Sequence, residues 1–293
     1  FIVSDIKIFK KVSQKFKNHK IKILNNFDFK KLAKSDITIA AIPGIVGLEP
    51  TIFAIKKTKK ILLANKESII CGWNLLNSCA LKYKTRIIPV DSEHYSIFNL
   101  LEKEKTSSIK NIYITASGGP FLRLKRNQFK SIKPLDALKH PKWKMGKKIT
   151  VDSSTLMNKI FEIAEAEKLF NILNKRLKVL IHPESLVHAI VEFNNGLKKF
   201  IYHDTSMIIP LANAIFEKKL KIQNFYNSRA KKKIENLSFE NVNPITFPLI
   251  KLKKKINEYP SSTIIYNAAN EILVDQFLQK KIPFLGISKT IMK

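Results

Sequence analysis

The first half of the chain alternates short apolar runs with longer amphipathic segments. The short runs lie at residues 21–24, 37–42, 61–64 and 87–90, and helix-like segments lie between them at residues 27–34, 48–57 and 67–83. Short apolar runs bounded by turn residues are typical of buried strands, and strands that alternate with helices build parallel sheets. The pattern predicts a doubly wound, mostly parallel α/β sheet, whose ligands bind beyond the carboxyl ends of its strands.

Two acidic residues, Asp91 and Glu93, follow the last of these apolar runs. Alternation along an extended chain would place both carboxylates on the same side, at the sheet edge where ligands bind. Two carboxylates so close together repel each other unless a cation or a shared proton relieves them, so a hard divalent cation is a natural partner. A capped turn would show the same pattern, and the pair alone does not decide between the two.

The second half of the chain predicts an α+β region followed by helices. Predicted strands cover residues 109–115, 179–182, 188–193 and 197–203, and predicted helices run from residues 91–93 to about 104, from 152–154 to about 170, and over 263–280. Asn195-Gly196 between the last two strands is a strong hairpin signal. Lysine-rich residues 231–233 and 251–255 mark a linker, whereas residues 123–148 lack a clean period and indicate a long binding loop or lid.

Two loop segments carry groups suited to a phosphorylated ligand. Ser117-Gly118-Gly119 follows a predicted strand, and its hydroxyl and permissive backbone could bring N–H groups onto an oxyanion such as phosphate, although a plain tight turn fits equally well. Residues 140–146 (HPKWKMG) place an aromatic ring and a thioether in the long loop. These two groups suit either a lid over a substrate or a pair of anchors to the core.

The helix predicted after Asp152-Ser153-Ser154 carries another candidate site. Its hydroxyl groups would cap the helix N-terminus, which attracts anions. Asn158 and Glu162 are four residues apart and share one face, and together with Lys159 they could serve a metal and an anion. A well-capped helix with a solvated polar face is the alternative.

Composition limits the classes of partner. The 293 residues carry a net charge of +30, but only five of the 53 basic residues are arginine, and the lysines are scattered through every segment. Because base reading favours arginine, the charge favours attraction of phosphorylated metabolites over nucleic-acid binding. Cys71 and Cys79 lack CxxC spacing and indicate packing thiols in a reducing compartment. His182 and His188 do not fit a zinc helix motif and are interpreted as structural.

Taken together, these segments resemble the 1-deoxy-D-xylulose 5-phosphate reductoisomerases, which are NADPH- and divalent-metal-dependent enzymes of non-mevalonate isoprenoid synthesis. The matching segments in chain order are LLANKES (62–68), PVDSEH (89–94), TASGGPF (115–121), HPKWKMG (140–146), VDSSTLMNKIFE (151–162), IHPES (181–185) and NAANE (267–271). Several long motifs in one order make the resemblance specific, and it extends over nearly the whole chain.

The resemblance implies a role for each matching residue. The implied metal ligands are Asp91, Glu93 and Glu162, which with Lys66 form the implied catalytic set. The implied phosphate contacts are Ser117, His140, Ser153 and Asn158, and the implied contacts near the reacting hydroxyls and carbonyl are Lys66, Ser92 and Lys159. Trp143 and Met145 match the flap over the substrate, and Asn65, Glu67 and Gly146 match positions that line the NADPH site.

The resemblance also implies the reaction and its setting. The reaction is the isomerisation and NADPH-dependent reduction of 1-deoxy-D-xylulose 5-phosphate to 2-C-methyl-D-erythritol 4-phosphate with Mg²⁺ or Mn²⁺. We expect a homodimer without membrane or specific nucleic-acid partners, in the bacterial cytoplasm or the plastid stroma. We expect a partial, Rossmann-like NADPH-binding domain over residues 1–90, an α+β catalytic domain over 91–225, and a linker with a partial C-terminal helical domain over 226–293.

Some segments depart from the family pattern. The family opens with a glycine-rich turn that cradles the dinucleotide phosphates, but no glycine precedes Gly44 here. We therefore expect the first βαβ unit and part of the C-terminal end to be missing and NADPH binding to be weak. Glu184 stands where glutamine is expected, and residues 203–207 (HDTSM) replace a Gly/Pro/Asp/Met-Arg run. The second departure bears on the local sheet edge and the dimer contact more than on the active site. A basic nucleic-acid-binding protein and a non-catalytic fragment on the same scaffold remain the alternatives.

Overall fold

The computed structural model describes residues 1–3, 5–26, 28–226 and 236–293, which form two β-sheets surrounded by helices. The first sheet is parallel and contains β1 (Ser35–Ala40), β2 (Thr58–Leu63) and β3 (Arg86–Pro89) in that order. Helix α1 (Ile6–Lys15) precedes it, and α2 (Leu48–Ile55) and α3 (Lys66–Tyr83) connect its strands. The predicted parallel βαβ arrangement is confirmed over these elements.

Two predictions near the start of the chain are wrong. Residues 21–24 form no strand, and only an isolated bridge joins Ile2 to Leu24. The predicted helix at 27–34, whose first residue lies outside the described residues, contains only a 3₁₀ turn at Phe29–Lys31. Short helices need an apolar face packed against a neighbour, and none of the residues of this turn is buried.

The second sheet is mixed and has the order β7-β6-β4-β5-β8. Its strands are β4 (Ile109–Ala116), β5 (Leu177–Ile181), β6 (Val187–Phe193), β7 (Lys198–Tyr202) and β8 (Glu240–Asn241). Only β4 and β5 pair in parallel. The predicted hairpin between β6 and β7 is confirmed, with Gly196 at φ +87° in its turn. The C-terminal end of β4 and the N-terminal end of β6 border a cavity. Residues that follow β2 and β3 of the first sheet line the same cavity.

Seven further helices complete the described part of the chain. They are α4 (Ser92–Leu101), α5 (Pro134–Ala137), α6 (Lys147–Thr155), α7 (Met157–Phe170), α8 (Ile208–Phe216), α9 (Ser262–Leu278) and α10 (Phe284–Ile291). Helix α7 is buried along most of its length, and its apolar residues join the largest core together with residues of β4, β5, β6, α9 and α10. None of the described helices is long and apolar enough to cross a membrane. The predicted linker at 231–233 lies outside the described residues.

The single helix predicted from residues 152–154 to about 170 is in fact two helices, α6 and α7. Leu156 separates them in the left-handed conformation, with φ +66° and ψ 10°. Its buried side chain packs with Ala116, Ile181 and Phe247, and this packing offsets the cost of about 1 to 2 kcal/mol for left-handed backbone. Ser153 therefore lies in the last turns of α6 rather than at a helix N-terminus. Short polar residues occur at both ends of helices, so the sequence does not show that residues 152–154 end one helix instead of starting the next.

Candidate active site

Three carboxylates from two helices meet at one side of a cavity. Asp91 precedes α4, Glu93 lies in its first turn, and Glu162 lies in the middle of α7. One oxygen atom from each lies within 4.8 Å of the others. Asp91 is also the cap of α4 and accepts a hydrogen bond from the backbone N–H of Glu93 at 3.3 Å. The expected same-side placement on an extended strand is thus wrong, because a helix start, not a strand, brings the first two acids together.

The ammonium group of Lys159 lies between two of these carboxylates. Its Nζ is 2.5 Å from Glu93 Oε1 and 2.7 Å from Glu162 Oε2. All three side chains are largely buried, so the charges interact with little screening by water. Burial acts to lower the pKa of Lys159, but the charges of Glu162 and Glu93 outweigh it and raise that pKa. Lys159 is therefore a charged hydrogen-bond donor at the centre of the acid cluster.

A second buried lysine, Lys66, approaches the acids from the start of α3. Its Nζ lies 3.5 Å from Asp91 Oδ2, 3.6 Å from Glu162 Oε1 and 3.4 Å from Glu165 Oε2. It also donates a hydrogen bond to Asn158 Oδ1 at 2.9 Å. Asn158 in turn donates to Glu162. Lys66 thus links helix α3 to two successive turns of α7 and fixes the orientation of the Asn158 amide.

The four acids around Lys66 and Lys159 differ in how readily they ionise. Burial raises the pKa of Glu162 to about 7, and the charge of Glu93 adds to the increase although both lysines oppose it. For Glu93, burial acts in the same direction, but the charge of Lys159 and local hydrogen bonds hold its pKa well below the usual 4.5. Neighbouring carboxylates titrate as a pair, and here the second one resists ionisation. The ionised form of Glu162 therefore lacks sufficient positive charge nearby, and a further cation would stabilise that form.

A second group of polar side chains faces the same cavity. His140 Nε2 lies 3.0 Å from Ser117 Oγ and 3.1 Å from Ser153 Oγ. His140 Nδ1 accepts hydrogen bonds from the backbone N–H groups of Trp143 and Lys142, so the proton of the neutral ring belongs on Nε2. Burial, with the charge of Lys159, lowers the pKa of His140 to about 4. Two hydroxyls and a neutral imidazole N–H are donors suited to an oxyanion.

A glycine lets this group form. The loop after β4 passes so close to α6 that a Cβ on Gly119 would lie 3.1 Å from Ser154 Cα and 3.2 Å from the Ser153 carbonyl oxygen. Gly119 also has φ +61°, which favours glycine. Its N–H donates to Ser117 Oγ at 3.1 Å. The close approach brings the hydroxyls of Ser117 and Ser153 within hydrogen-bond distance of the same nitrogen of His140, Nε2.

The cavity between these groups has a volume of about 230 Å³. The predicted site residues in its wall are Asp91, Ser92, Glu93, Ser117, His140, Trp143, Met145, Ser153, Asn158, Lys159 and Glu162. Lys66 lies behind this wall, in contact with the acids. The structure thus brings the predicted metal, phosphate and flap residues to one place, while the individual roles stay predictions.

The three residues predicted to line the NADPH site do not line this cavity. Asn65 is buried and caps α3 by accepting from the Ser68 N–H at 2.5 Å. Its Nδ2 donates to the carbonyl oxygens of Ile42 and Gly44, and so ties together the loops after β1 and β2. Glu67 lies 3.7 Å from the ammonium group of Lys148, and Gly146 precedes α6 with open space where a Cβ would be.

Several cavity residues were not predicted as site residues. They are Ala64, Thr115, Lys144, Ile149, Ser185, His188 and Met207. The structural interpretation is confirmed for His182, whose Nδ1 bonds the Ser238 carbonyl oxygen and whose Nε2 accepts from two backbone N–H groups. His188 differs, because it faces the cavity and its buried Nε2 has no hydrogen-bond partner among the described residues. Its position at the start of a strand that borders the cavity was the only available signal.

Family models for one family match most of the chain. The model of 1-deoxy-D-xylulose 5-phosphate reductoisomerase matches residues 2–72. Its C-terminal domain model matches residues 87–170, and a further model of the DXP reductoisomerase C-terminal domain matches residues 204–293.

Curated relatives carry the same name over the whole chain. The 1-deoxy-D-xylulose 5-phosphate reductoisomerase of Pelagibacter ubique is 49% identical over 302 residues, which span 100% of this chain and 76% of the relative. That of Wolbachia sp. subsp. Drosophila simulans is 38% identical and spans 99% of this chain and 75% of the relative.

Solved structures agree with these relatives. A crystal structure of DOX-P reductoisomerase in complex with NADPH, fosmidomycin and magnesium superposes with a TM-score of 0.87 at 31% identity, over 98% of this chain and 74% of that one. The enzyme of Zymomonas mobilis in complex with NADPH gives a TM-score of 0.84 at 31% identity, over 99% of this chain and 76% of that one. The chain belongs to the 1-deoxy-D-xylulose 5-phosphate reductoisomerase family.

Proposed function

We propose that this chain converts 1-deoxy-D-xylulose 5-phosphate to 2-C-methyl-D-erythritol 4-phosphate, with NADPH and Mg²⁺ or Mn²⁺. The observation that carries the proposal is the juxtaposition, in one cavity, of three carboxylates with the Ser117–His140–Ser153 group. The first set suits a divalent cation and the second suits a phosphate. A phosphorylated ketose carries a phosphate at one end and metal-binding oxygens at the other, which matches this arrangement.

The three carboxylates fit a hard divalent cation. All the candidate ligand atoms of Asp91, Glu93 and Glu162 are oxygens, and Mg²⁺ and Mn²⁺ prefer oxygen whereas structural zinc prefers nitrogen and sulfur. The raised pKa of Glu162, caused first by burial and then by the charge of Glu93, is consistent with a site whose third carboxylate needs a bound cation to stay ionised. A cation held there would polarise the carbonyl of the ketose and favour rearrangement of its carbon skeleton.

The two buried lysines position protons around the reacting oxygens. Because the pKa of Lys159 is raised by Glu162 and Glu93 against the effect of burial, its ammonium group stays a donor near neutral pH. The same holds for Lys66, whose pKa is raised well above its usual value by Glu165 and Asp91 against burial. We assign Lys159 to donate towards the substrate hydroxyls and Lys66 to hold Asn158 in place. Ser92, whose hydroxyl donates to Glu93 Oε2 at 2.5 Å, orients that carboxylate.

The polar group at the other end of the cavity would bind the phosphate. Ser117 and Ser153 each offer a hydroxyl donor, and neutral His140 offers its Nε2–H. Because His140 is neutral, phosphate binding relies on donors and on the nearby charge of Lys159 rather than on an imidazolium. Trp143 and Met145, on the segment that follows His140, would exclude water from the reacting atoms.

The described residues offer part of an NADPH site. Asn65 joins the loops that follow β1 and β2, at the sheet edge where dinucleotides bind. We propose that this edge, with Glu67 and Gly146, forms one wall for the cofactor, which would supply the hydride for reduction. We further propose three domains: residues 1–90 bind NADPH, residues 91–225 bind metal and substrate, and residues 226–293 form a linker and a helical domain. The family-model matches at residues 2–72, 87–170 and 204–293 support this division.

We also propose a homodimer in the bacterial cytoplasm. Strand β7 is an edge strand of the mixed sheet with Phe200 exposed, which offers a surface for a second copy. The relatives from Pelagibacter and Wolbachia favour a bacterial setting over a plastid. Sedimentation equilibrium tests the dimer, and a single species of 33.7 kDa at micromolar concentration would contradict it.

The direct test is NADPH consumption by the purified chain with 1-deoxy-D-xylulose 5-phosphate and Mn²⁺, over NADPH concentrations high enough to offset weak cofactor binding. We expect turnover that Asp91→Asn abolishes and that Asp136→Asn, at a partly exposed acid outside the cavity, leaves unchanged. Binding of fosmidomycin with Mn²⁺, followed by calorimetry, tests the metal and phosphate sites separately from the cofactor. Folded protein that neither turns over nor binds fosmidomycin would contradict the proposal.

A further inference from the structure

Three aromatic rings form a row from strand β7 to the flap. The rings of His203 and His188 are stacked, with centroids 4.0 Å apart and planes 20° from parallel. The ring of His188 then meets Trp143 edge-on, with centroids 5.8 Å apart and planes at 67°. His188 and Trp143 both line the cavity, whereas His203 does not. His203 therefore contacts the wall of the cavity through His188.

His203 is firmly held at the end of the row. Its backbone N–H donates to the Leu186 carbonyl oxygen at 2.9 Å, next to the pairing of β6 with β7. Its Nδ1 donates to the carbonyl oxygen of Asp204 at 2.8 Å, because that oxygen can only accept. Burial lowers the pKa of His203 and of His188, so both rings are neutral and can stack without charge repulsion. A fixed ring thus covers one face of His188.

The main chain of Trp143 is anchored separately from its ring. Its backbone N–H donates to His140 Nδ1 at 2.9 Å, which secures the main chain but not the side chain. Among the described residues, His188 is the only aromatic ring in contact with it. The segment then continues to Gly146, where a Cβ would meet open space. The orientation of His188 therefore has a direct effect on where the Trp143 ring rests.

We infer that His203 is a positioning residue for the flap. By stacking on His188, it holds the His188 ring in the orientation in which Trp143 packs edge-on against it. Removal of the His203 ring would leave a void beside His188 and allow that ring to tilt. The sequence departs from its family's pattern at residues 203–207, and the stacked pair gives that departure a role in this chain. The inference rests on the proposed function, because it assigns Trp143 to the cover of the active site.

The test follows Trp143 in protein without ligand. The chain has two tryptophans, so Trp73→Phe makes Trp143 the only one. In that background we compare acrylamide quenching of Trp143 fluorescence in His203→Ala, His203→Phe and the control Tyr259→Ala, which removes an exposed ring that belongs neither to the row nor to β7. Aromatic pairs of this kind shift a docked population by roughly 2- to 10-fold, so we expect quenching of Trp143 to rise at least about 2-fold in His203→Ala.

The remaining variants distinguish positioning from a general structural effect. His203→Phe, which keeps a ring for stacking, should restore quenching to the parent value, and Tyr259→Ala should leave it unchanged. Affinity for fosmidomycin with Mn²⁺ should fall in His203→Ala by the same factor as the docked population. Quenching equal to the parent in His203→Ala would overturn the inference, as would equal increases in His203→Ala and His203→Phe. If His203→Ala fails to fold, His203→Gln provides the ring-free variant. Because quenching needs no ligand, these outcomes do not depend on turnover.

Discussion

Replacement of Glu162 by glutamine should stabilise the metal-free protein. The folded-state pKa of Glu162 is about 7, compared with 4.5 for an ordinary glutamate, because burial and the charge of Glu93 favour its protonated form. Below pH 4.5 the group is protonated in both states and has no effect. Between pH 4.5 and 7 the unfolded chain ionises first, so the folded state loses relative stability, and the loss is complete above pH 7.

The size of the effect follows from the two pKa values. Each pH unit between them corresponds to about 1.4 kcal/mol, so the ionised carboxylate destabilises the folded protein by about 3 kcal/mol above pH 7. Glutamine resembles the protonated acid and removes this penalty. For a chain of this length the gain is roughly 5 °C in Tm, measured by differential scanning calorimetry at pH 8. The difference between variant and parent should shrink towards zero at pH 5.

Bound metal should make the parent more stable than Glu162→Gln. A cation at about 1,000 times its Kd stabilises the parent by about 4.1 kcal/mol, which exceeds the advantage of about 3 kcal/mol that Glu162→Gln has without metal, and the variant should lose most of this gain. Glu165→Gln is the matched control, because Glu165 is also buried on α7 with a pKa raised by burial but lies outside the carboxylate trio. It should keep the response to Mn²⁺. A lower Tm for metal-free Glu162→Gln at pH 8 would refute the reasoning, since it would make the Glu162 carboxylate stabilising.

Three further predictions concern the phosphate group and the backbone. Ser153→Ala should weaken fosmidomycin binding in calorimetry by about 10-fold or more, since it removes a donor to a charged group; Ser154→Ala, whose hydroxyl bonds the Val151 carbonyl oxygen instead, should not. Nitrogen NMR should find His140 neutral at pH 6, because burial lowers its pKa to about 4. The contribution of neutral His140 to the stability of the folded protein is complete above pH 6.5 and is lost as the pH falls towards 4. An imidazolium at pH 6 would contradict this. Lys84→Gly should raise stability by about 0.5 to 1 kcal/mol in denaturant titrations, because Lys84 has φ 55°; Lys82→Gly, inside α3, should lower it.

The regular part of the fold could be predicted because its strands contain apolar runs that are mostly buried. Residues 61–63 of β2 and residues 88–90 at the end of β3 are apolar and buried, and the Asn195-Gly196 turn specifies its hairpin locally. The break at Leu156 could not be predicted. Its left-handed backbone is stabilised by packing against Phe247, which lies 91 positions further along the chain and supplies no local signal.

The site was predictable in its members but not in its assembly. Spacing alone related Asn158 to Glu162, and Asp91 to Glu93, but only the fold brings the two pairs together through α3, α4 and α7. The link from Lys66 to Glu165 depends on that packing too. His188 was interpreted as structural because a lone histidine near a strand says nothing about which face it occupies.

We propose that Asp91, Glu93 and Glu162 together bind one divalent cation beside the Ser117–His140–Ser153 group. Anomalous scattering from crystals grown with MnCl₂ tests it most directly. We expect one strong manganese peak about 2.0 to 2.4 Å from an oxygen of each of the three carboxylates. A manganese peak at any other position, with these carboxylates still bound to Lys159 and Lys66 alone, would contradict it.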